Sequence, residues 1–278
     1  MMFSNWECCR LQLSKQGIRG LDFNSWKSVI DILRVYNVKK VTLLGRCLNL
    51  VDLIKYCEKK KINPEVEVPI KNLSFLYGSM KNYIVCRMTV NDIKLLKEKS
   101  KTLGTPSTIL LTFERKDLDS LIPALKTISK LDVNSIRLEI TNSCSVRYSS
   151  FWQFRTSTKE IFSASDYKSL LAVTRIIKEN KKEFKIANSD KYLNGIPTFG
   201  ITQNWKCKYW DCPTIAPDGC LMACRDRYLI SPISIFDLGD KYSEIRLREV
   251  FIATSIRCTG CYWESKVEEE YALKEGTV

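Results

Sequence analysis

Cysteine is the residue type with the most chemistry to offer in this chain, and it is concentrated towards one end. Of twelve cysteines in 278 residues, six lie between Asn204 and Trp263, and the sequence contains no histidine. They run Cys207-x4-Cys212-x7-Cys220-x3-Cys224, then x33, then Cys258-x2-Cys261. Any soft metal site must therefore be built from thiolates, with at most an Asp, a Glu or a small molecule as an extra ligand, and thiolates select zinc or iron–sulfur clusters over hard cations. The last pair is a short chelating turn, with Gly260 available for a tight backbone. The earlier group surrounds Pro217-Asp218-Gly219, a turn signal that would fold a hairpin and bring Cys212 near Cys224. The distant CxxC would then close a four-thiolate shell; the alternative is a set of buried free thiols. The lack of histidine also excludes a Ser/His/Asp or Cys/His nucleophile.

The elements that must position these residues follow from periodicity. Asp22 or Asn24 can cap a helix whose apolar face is Trp26, Ile30, Leu33 and Tyr36. Strand patterns start at Val41, Val66, Tyr83, Thr108 and Ser135. Helical patterns run from Leu50 to Lys61, Asp92 to Lys101 and Asp117 to Leu131, the last with Pro123 inside it. Such alternation suits successive βα units and a parallel sheet. The runs at Val41, Tyr83 and Thr108 are almost wholly apolar, as in strands buried on both faces. Those at Val66 and Ser135 alternate, which predicts a polar second face. A barrel or incomplete barrel with a polar-lined interior fits this mixture, whereas no GxGxxG loop supports a dinucleotide fold. Residues 142–163 read as a loop, Ser165 caps a helix to about Glu183, and 184–203 link to the cysteine region.

Composition narrows the classes. A content of 45% hydrophobic residues suffices for one large core or for a main and a small domain. Mean hydropathy is −0.17, and no run of about 18 apolar residues predicts a membrane span. The start, MMFSNWECCRLQ, lacks the apolar core of a signal peptide. Twelve cysteines without an export signal point to a reducing, cytoplasmic setting with thiols kept for metal. The net charge of +13 is spread over helix lysines rather than gathered into an aromatic-plus-arginine motif, so nucleic acid is not the expected partner. Cys57 and Cys86 read as core packing. Arg137 and Glu139 lie on one face of their strand, either pointing into the barrel or forming a surface pair of little worth. The tail from Glu264 to Val278 is acidic and is expected to fray.

With these residues in view, the chain resembles the radical S-adenosylmethionine (SAM) superfamily. The stretch from Ser14 to about Ile140 is similar to its partial (β/α)6 TIM-like barrel, entered after the first strand, with FNSWKSVIDILRVYNV running into KKVTLLG. The C-terminal region resembles the SPASM or twitch extension, whose I-x-P-D-G-x4-C core is here Ile215-Ala216-Pro217-Asp218-Gly219 with Cys224 as its cysteine. Cys258 and Cys261 match the closing pair, and Cys212 or Cys207 the opening ligand. The resemblance implies an α/β fold with a barrel over residues 1–190 and a small cysteine-rich cluster domain over 191–278. It also implies an auxiliary [4Fe–4S] cluster on Cys212, Cys224, Cys258 and Cys261, with Cys207 and Cys220 as reserves.

Two departures bear on activity. The family holds its catalytic cluster with CxxxCxxC between the first strand and the first helix. Here that place reads Ser4-Asn5-Trp6-Glu7-Cys8-Cys9-Arg10-Leu11, and two adjacent cysteines cannot supply three ligands at that spacing; Cys47, expected at the barrel rim, is either a rescue ligand beside them or an ordinary semi-buried thiol. The GGEP-like turn that holds the SAM amino group is reduced to Leu44-Gly45-Arg46-Cys47. Cys8, Cys9 and Gly45 are thus what is left for binding SAM and its cluster. The expectation is a radical SAM/SPASM-like iron–sulfur protein with an incomplete SAM-cleaving site, acting on a peptide or small-molecule substrate with an electron-donor protein. A chain that starts late would lack ligands encoded upstream. The alternatives are a non-catalytic degenerate relative that keeps one cluster for structure, electron transfer or partner binding, and a zinc-ribbon nucleic-acid-binding protein.

Overall fold

A computed structural model describes residues 8–13, 20–45, 49–75, 80–141, 162–202, 204–205, 213–222, 233–257, 262, 264 and 267–268. The chain divides into two compact units. The first comprises Met1–Glu67, Lys208–Cys258 and Ala272–Val278, and the second comprises Val68–Cys207 and Thr259–Tyr271.

In the first unit, β1 (Cys8–Gln12), β2 (Lys40–Leu44) and β3 (Asn63–Pro69) pair in parallel. They alternate with α1 (Phe23–Val35) and α2 (Leu50–Lys59). Asp22 caps α1 by accepting a 2.7 Å hydrogen bond from the Ser25 amide, as its side-chain chemistry favours. Trp26, Ile30 and Leu33 are buried as the periodicity predicts, joined by Val29, while Tyr36 falls just beyond the helix as its C-cap. Leu11, Val41, Leu43 and Val66 share one face of the strands and are fully buried, as are Leu33 and Leu53 on the helices. This is the layering that a parallel sheet requires. On the far side of β1 come β7 (Thr214–Ile215), β8 (Cys220–Met222) and β9 (Ile233–Ser234), in the order β1-β7-β8-β9.

The strand β1 corrects one expectation. The chain is not entered after the first strand: residues 8–12 form a strand in register with β2, Cys8 opposite Lys40 and Gln12 opposite Leu44. Arg10 and Gln12 disguise it, because both are polar yet only 2% exposed.

In the second unit, β4 (Ile84–Thr89), β5 (Thr108–Phe113) and β6 (Ser135–Ile140) are parallel. They are interleaved with α3 (Ile93–Leu103) and α4 (Leu118–Ser129), and followed by α5 (Tyr167–Glu179) and α6 (Asp190–Thr202). The stretch expected as a link past residue 184 instead covers the edge of β6. The Ile136 amide donates to the Lys185 carbonyl (2.8 Å), and Ala187 donates back to Ile136 (2.9 Å). The Asn188 side chain accepts from the Leu138 amide (2.7 Å) and donates to its carbonyl (3.1 Å). The Tyr192 hydroxyl accepts from the Ile140 amide (3.2 Å). An edge that would otherwise template aggregation is thus closed by backbone and side chain together. A final helix, α7 (Lys241–Arg257), belongs to the first unit and buries Leu247 and Phe251. No helix among the described residues is long and apolar enough to cross a membrane.

Candidate functional site

The hairpin at the centre of the cysteine-rich segment forms as its turn residues dictate. Thr214 pairs with Met222 and Ile215 with Leu221 in antiparallel register. Within the turn, the Ala216 amide donates to the Cys220 carbonyl (2.8 Å) and the Gly219 amide to the Ala216 carbonyl (2.9 Å). Asp218 closes an Asx turn by accepting from the Cys220 amide at 3.1 Å. Gly219 has φ +89°, and a Cβ there would lie 3.2 Å from the Phe236 ring, so both backbone and space call for glycine. The hairpin is tied to β1 through the Arg10 amide, which donates to the Pro213 carbonyl at 3.0 Å. Its two open ends, Pro213 and Met222, lie one and two residues in sequence from Cys212 and Cys224. Cys207, Cys212, Cys224, Cys258, Cys261 and Cys47 themselves lie outside the described residues.

Cys220 is within them, on β8 opposite Ser234. Burial and the neighbouring Asp218 and Asp237 push its thiol up to about 11. Without metal it is therefore the neutral thiol; a coordinated metal ion would displace that proton. Cys57 and Cys86 are fully buried, and burial raises both thiols to about 12; they are core residues, as expected. Among the described residues no cluster of three His, Cys, Asp or Glu side chains is placed to hold a metal ion.

The N-terminal candidates are placed differently. Cys8 and Cys9 are buried at the start of β1, opposite Lys40 and Val41. Gly45, with φ +100°, follows the far end of β2. From the Cys8–Lys40 pair to the Gln12–Leu44 pair is four strand steps, roughly 13 Å. The cysteine pair and Gly45 are thus at opposite ends of the strands. In α/β barrels, ligand sites gather beyond the C-terminal strand ends, which is the end occupied by Gly45.

Sequence reasoning missed most of the buried polar side chains on these strands. In the first unit Arg10, Gln12, Thr42, Glu67 and Thr214 are all buried, and register puts them on the face opposite Leu11 and Val41. The Gln12 Oε1 and Thr214 Oγ1 atoms are buried without a hydrogen-bond partner. In the second unit Arg87 pairs with fully buried Glu139 and donates to Thr112 at 3.2 Å. The Glu139 Oε2 and Thr141 Oγ1 atoms are again buried without a partner. The signal that could have found these groups was the alternation already visible in residues 135–140. Arg137 and Glu139 do share a strand face, but the surface-pair alternative is wrong. Each has its own buried partner, Arg137 binding Glu264 through two bonds of 2.8 and 2.7 Å.

That second pair also corrects the expected fraying of the tail at its start. Glu264 and Val267 are buried, and Glu268 accepts from the Ser189 amide at 2.8 Å. Just before them, Tyr262 is fully buried, stacks on Tyr192 at 5.0 Å and on Phe199 at 5.2 Å, and donates to the Tyr192 carbonyl at 3.0 Å. Burial is the main cause raising the carboxyls of Glu264 and Glu268, with Arg137 opposing it at both.

No family model matches the chain, and no curated protein matches its sequence. Solved structures match by fold. anSMEcpe, an anaerobic sulfatase-maturating enzyme, with bound AdoMet and Kp18Cys peptide superposes with a TM-score of 0.57 at 11% identity, over 96% of this chain and 97% of that one. The same enzyme with AdoMet alone gives 0.51 at 11% identity, over 96% and 97%. Its polyhistidine-tagged form with AdoMet gives 0.50 at 10% identity, over 88% and 84%. At such identity the likeness concerns the fold: a mixed α/β chain with central parallel strands, as in a partial TIM-like barrel.

Proposed function

We propose that this chain is a radical SAM/SPASM-type iron–sulfur protein that keeps the ligand-binding barrel and an auxiliary cluster but lacks the thiolates for SAM cleavage. The observation that carries the reading is the fold likeness over 96% of the chain to an enzyme solved with AdoMet and a peptide. Fold alone does not assign function, so the site residues bear the rest of the argument.

The donor set fits a four-thiolate cluster. With no histidine available, the hairpin carries Cys212 and Cys224 just beyond its open ends, and Cys258 and Cys261 supply the closing pair. Cys207 and Cys220 remain reserves. The polar faces fit a ligand rich in hydrogen-bond donors, because buried oxygens without partners are costly unless something satisfies them. Gln12 and Thr214 offer such oxygens in one unit, and Glu139 and Thr141 in the other. Each set, within its own unit, would help bind and orient a polar ligand such as S-adenosylmethionine or a peptide or small-molecule substrate.

A three-thiolate [4Fe–4S] centre, where a protein holds one, supplies the electron that cleaves the SAM sulfonium. The placement of β1 supports the view that this chain holds none. The segment Leu13–Asp22 between β1 and α1, where the family carries CxxxCxxC, contains no cysteine. Residues upstream of β1 would not fill that gap. The auxiliary cluster is then left for structure, electron exchange with a donor protein, or partner recognition.

The test is iron, sulfide and zinc per chain after anaerobic purification, together with SAM binding and turnover. About four irons and four sulfides, with SAM bound but not consumed, is the expected result. About twice that iron content with reductive SAM cleavage would overturn the non-catalytic reading. Zinc without iron would replace the cluster with a zinc module.

A further inference from the structure

On the polar face of the second unit's strands the charges are matched but the hydrogen bonds are not. Register places Arg87, Arg137 and Glu139 on that face. Arg87 pairs with Glu139 Oε1 and donates to Thr112 at 3.2 Å. Arg137 is taken up by Glu264 through bonds of 2.8 and 2.7 Å. Two guanidinium groups thus meet two carboxylates. Left over are Glu139 Oε2 and Thr141 Oγ1, both buried and both without a hydrogen-bond partner. Glu139 is 0% exposed and Thr141 3%. The two residues are two positions apart, so their side chains leave the chain on the same side, from Cα atoms roughly 7 Å apart. The Thr141 amide donates to the Phe113 carbonyl at 2.9 Å, which carries the ladder one residue past β6 and fixes that direction. Buried polar atoms are paired as a rule, and leaving two neighbours open costs stability.

We propose that Glu139 and Thr141 seat an uncharged ligand group that carries a donor and an acceptor side by side: an amide, or the equivalent amino edge of a nucleobase. The inference deepens the ligand-binding role proposed for this strand face and rests on it. A carboxylate oxygen only accepts, whereas a hydroxyl also donates. The complement is an N–H directed at Glu139 Oε2 and a carbonyl or ring nitrogen that accepts from Thr141. Charge excludes the alternatives. An ammonium has no acceptor for the hydroxyl, and Arg87 has already neutralised the carboxylate that would attract it. A ligand carboxylate has no donor for Oε2 and would meet it as a like charge. Either would bring an unmatched charge into a buried site. Arg87 acts here as a positioning residue: by holding Oε1 in a charge-assisted bond it fixes the carboxylate with Oε2 open.

The test is a threonine-methyl NMR titration of the full-length chain, with the Thr141 signal identified by its absence from Thr141→Val. The probes are acetamide, its charged isosteres acetamidinium and acetate, and S-adenosylmethionine. Acetamide is expected to shift the Thr141 signal saturably, and each charged isostere to bind about tenfold more weakly or less, the worth of one mismatched hydrogen bond. Where acetamide binds, displacement by S-adenosylmethionine assigns the seat to its amino edge, and binding of S-adenosylmethionine without displacement assigns it to a substrate amide; both keep the proposal. Thr141→Val removes the hydroxyl and keeps the shape, so it is expected to raise the urea midpoint of the chain alone, while Thr141→Ser is expected to retain acetamide binding. A lowered midpoint in Thr141→Val would mean that the hydroxyl is already satisfied within the protein and would overturn the proposal. So would a charged isostere that binds as well as acetamide. A Thr141 signal indifferent to every probe, with S-adenosylmethionine bound by calorimetry, would remove the seat and leave the proposed function standing. No binding of any probe by either method would remove both.

Discussion

Two groups of cysteines in this chain are candidates for metal, an adjacent pair on β1 and a spaced set around a hairpin. Cys8 and Cys9 lie within a parallel pairing, buried, at the strand end opposite Gly45. In sequence, Cys212 and Cys224 bracket a hairpin closed by Pro217-Asp218-Gly219, and Cys258 and Cys261 precede Tyr262. A residue in a central strand has its direction and neighbours dictated by the ladder. Adjacent cysteines in a strand point to opposite faces, so the first pair cannot chelate together without breaking β1.

The sharpest way to break this comparison is to remove each pair in turn. Cys258→Ser/Cys261→Ser is expected to abolish bound metal, and Cys8→Ser/Cys9→Ser to leave metal per chain unchanged; equal loss from both would erase the distinction. The next largest effect concerns the buried Arg137–Glu264 pair. Glu264→Ala leaves Arg137 largely buried without its partner, which should cost about 3–5 kcal/mol in urea unfolding. A loss below about 1 kcal/mol, the value of an exposed pair, would return the ion pair to the surface class.

Smaller effects sharpen the contrast between ligand thiols and core thiols. Cys57→Ser or Cys86→Ser buries a hydroxyl where a thiol packed, at about 1–3 kcal/mol, with metal content untouched. The smallest effect is on pH. Glu264 and Glu268 have raised carboxyl pKa values in the folded chain, so the native state takes up their protons before the unfolded state does. Their contribution to stability is fully present below the ordinary glutamate value and is lost as pH rises through the raised values. Urea midpoints should therefore fall across that window in the native chain and fall less in Glu264→Gln/Glu268→Gln.

How much of this was legible depended on distance along the chain. The α1 cap at Asp22, the βα alternation and the hairpin turn were all readable, because each is settled by residues within a few positions of one another. β1 was not, since a five-residue strand with buried Arg10 and Gln12 has no apolar signature of its own. Its identity comes from pairing with β2 and β7. The edge cover at 185–192 was read as a link for the same reason: its purpose is defined by β6, some fifty residues earlier.

By itself the sequence determined that any soft metal must be held by thiolates, because it has no histidine, and that Pro217-Asp218-Gly219 would turn the chain between two of them. Only the tertiary structure decided which polar residues are buried and with whom. Arg87 meets Glu139 across 52 residues, and Arg137 meets Glu264 across 127. Turn chemistry is local and acts before the chain is folded; a buried ion pair exists only once packing has excluded water from both partners.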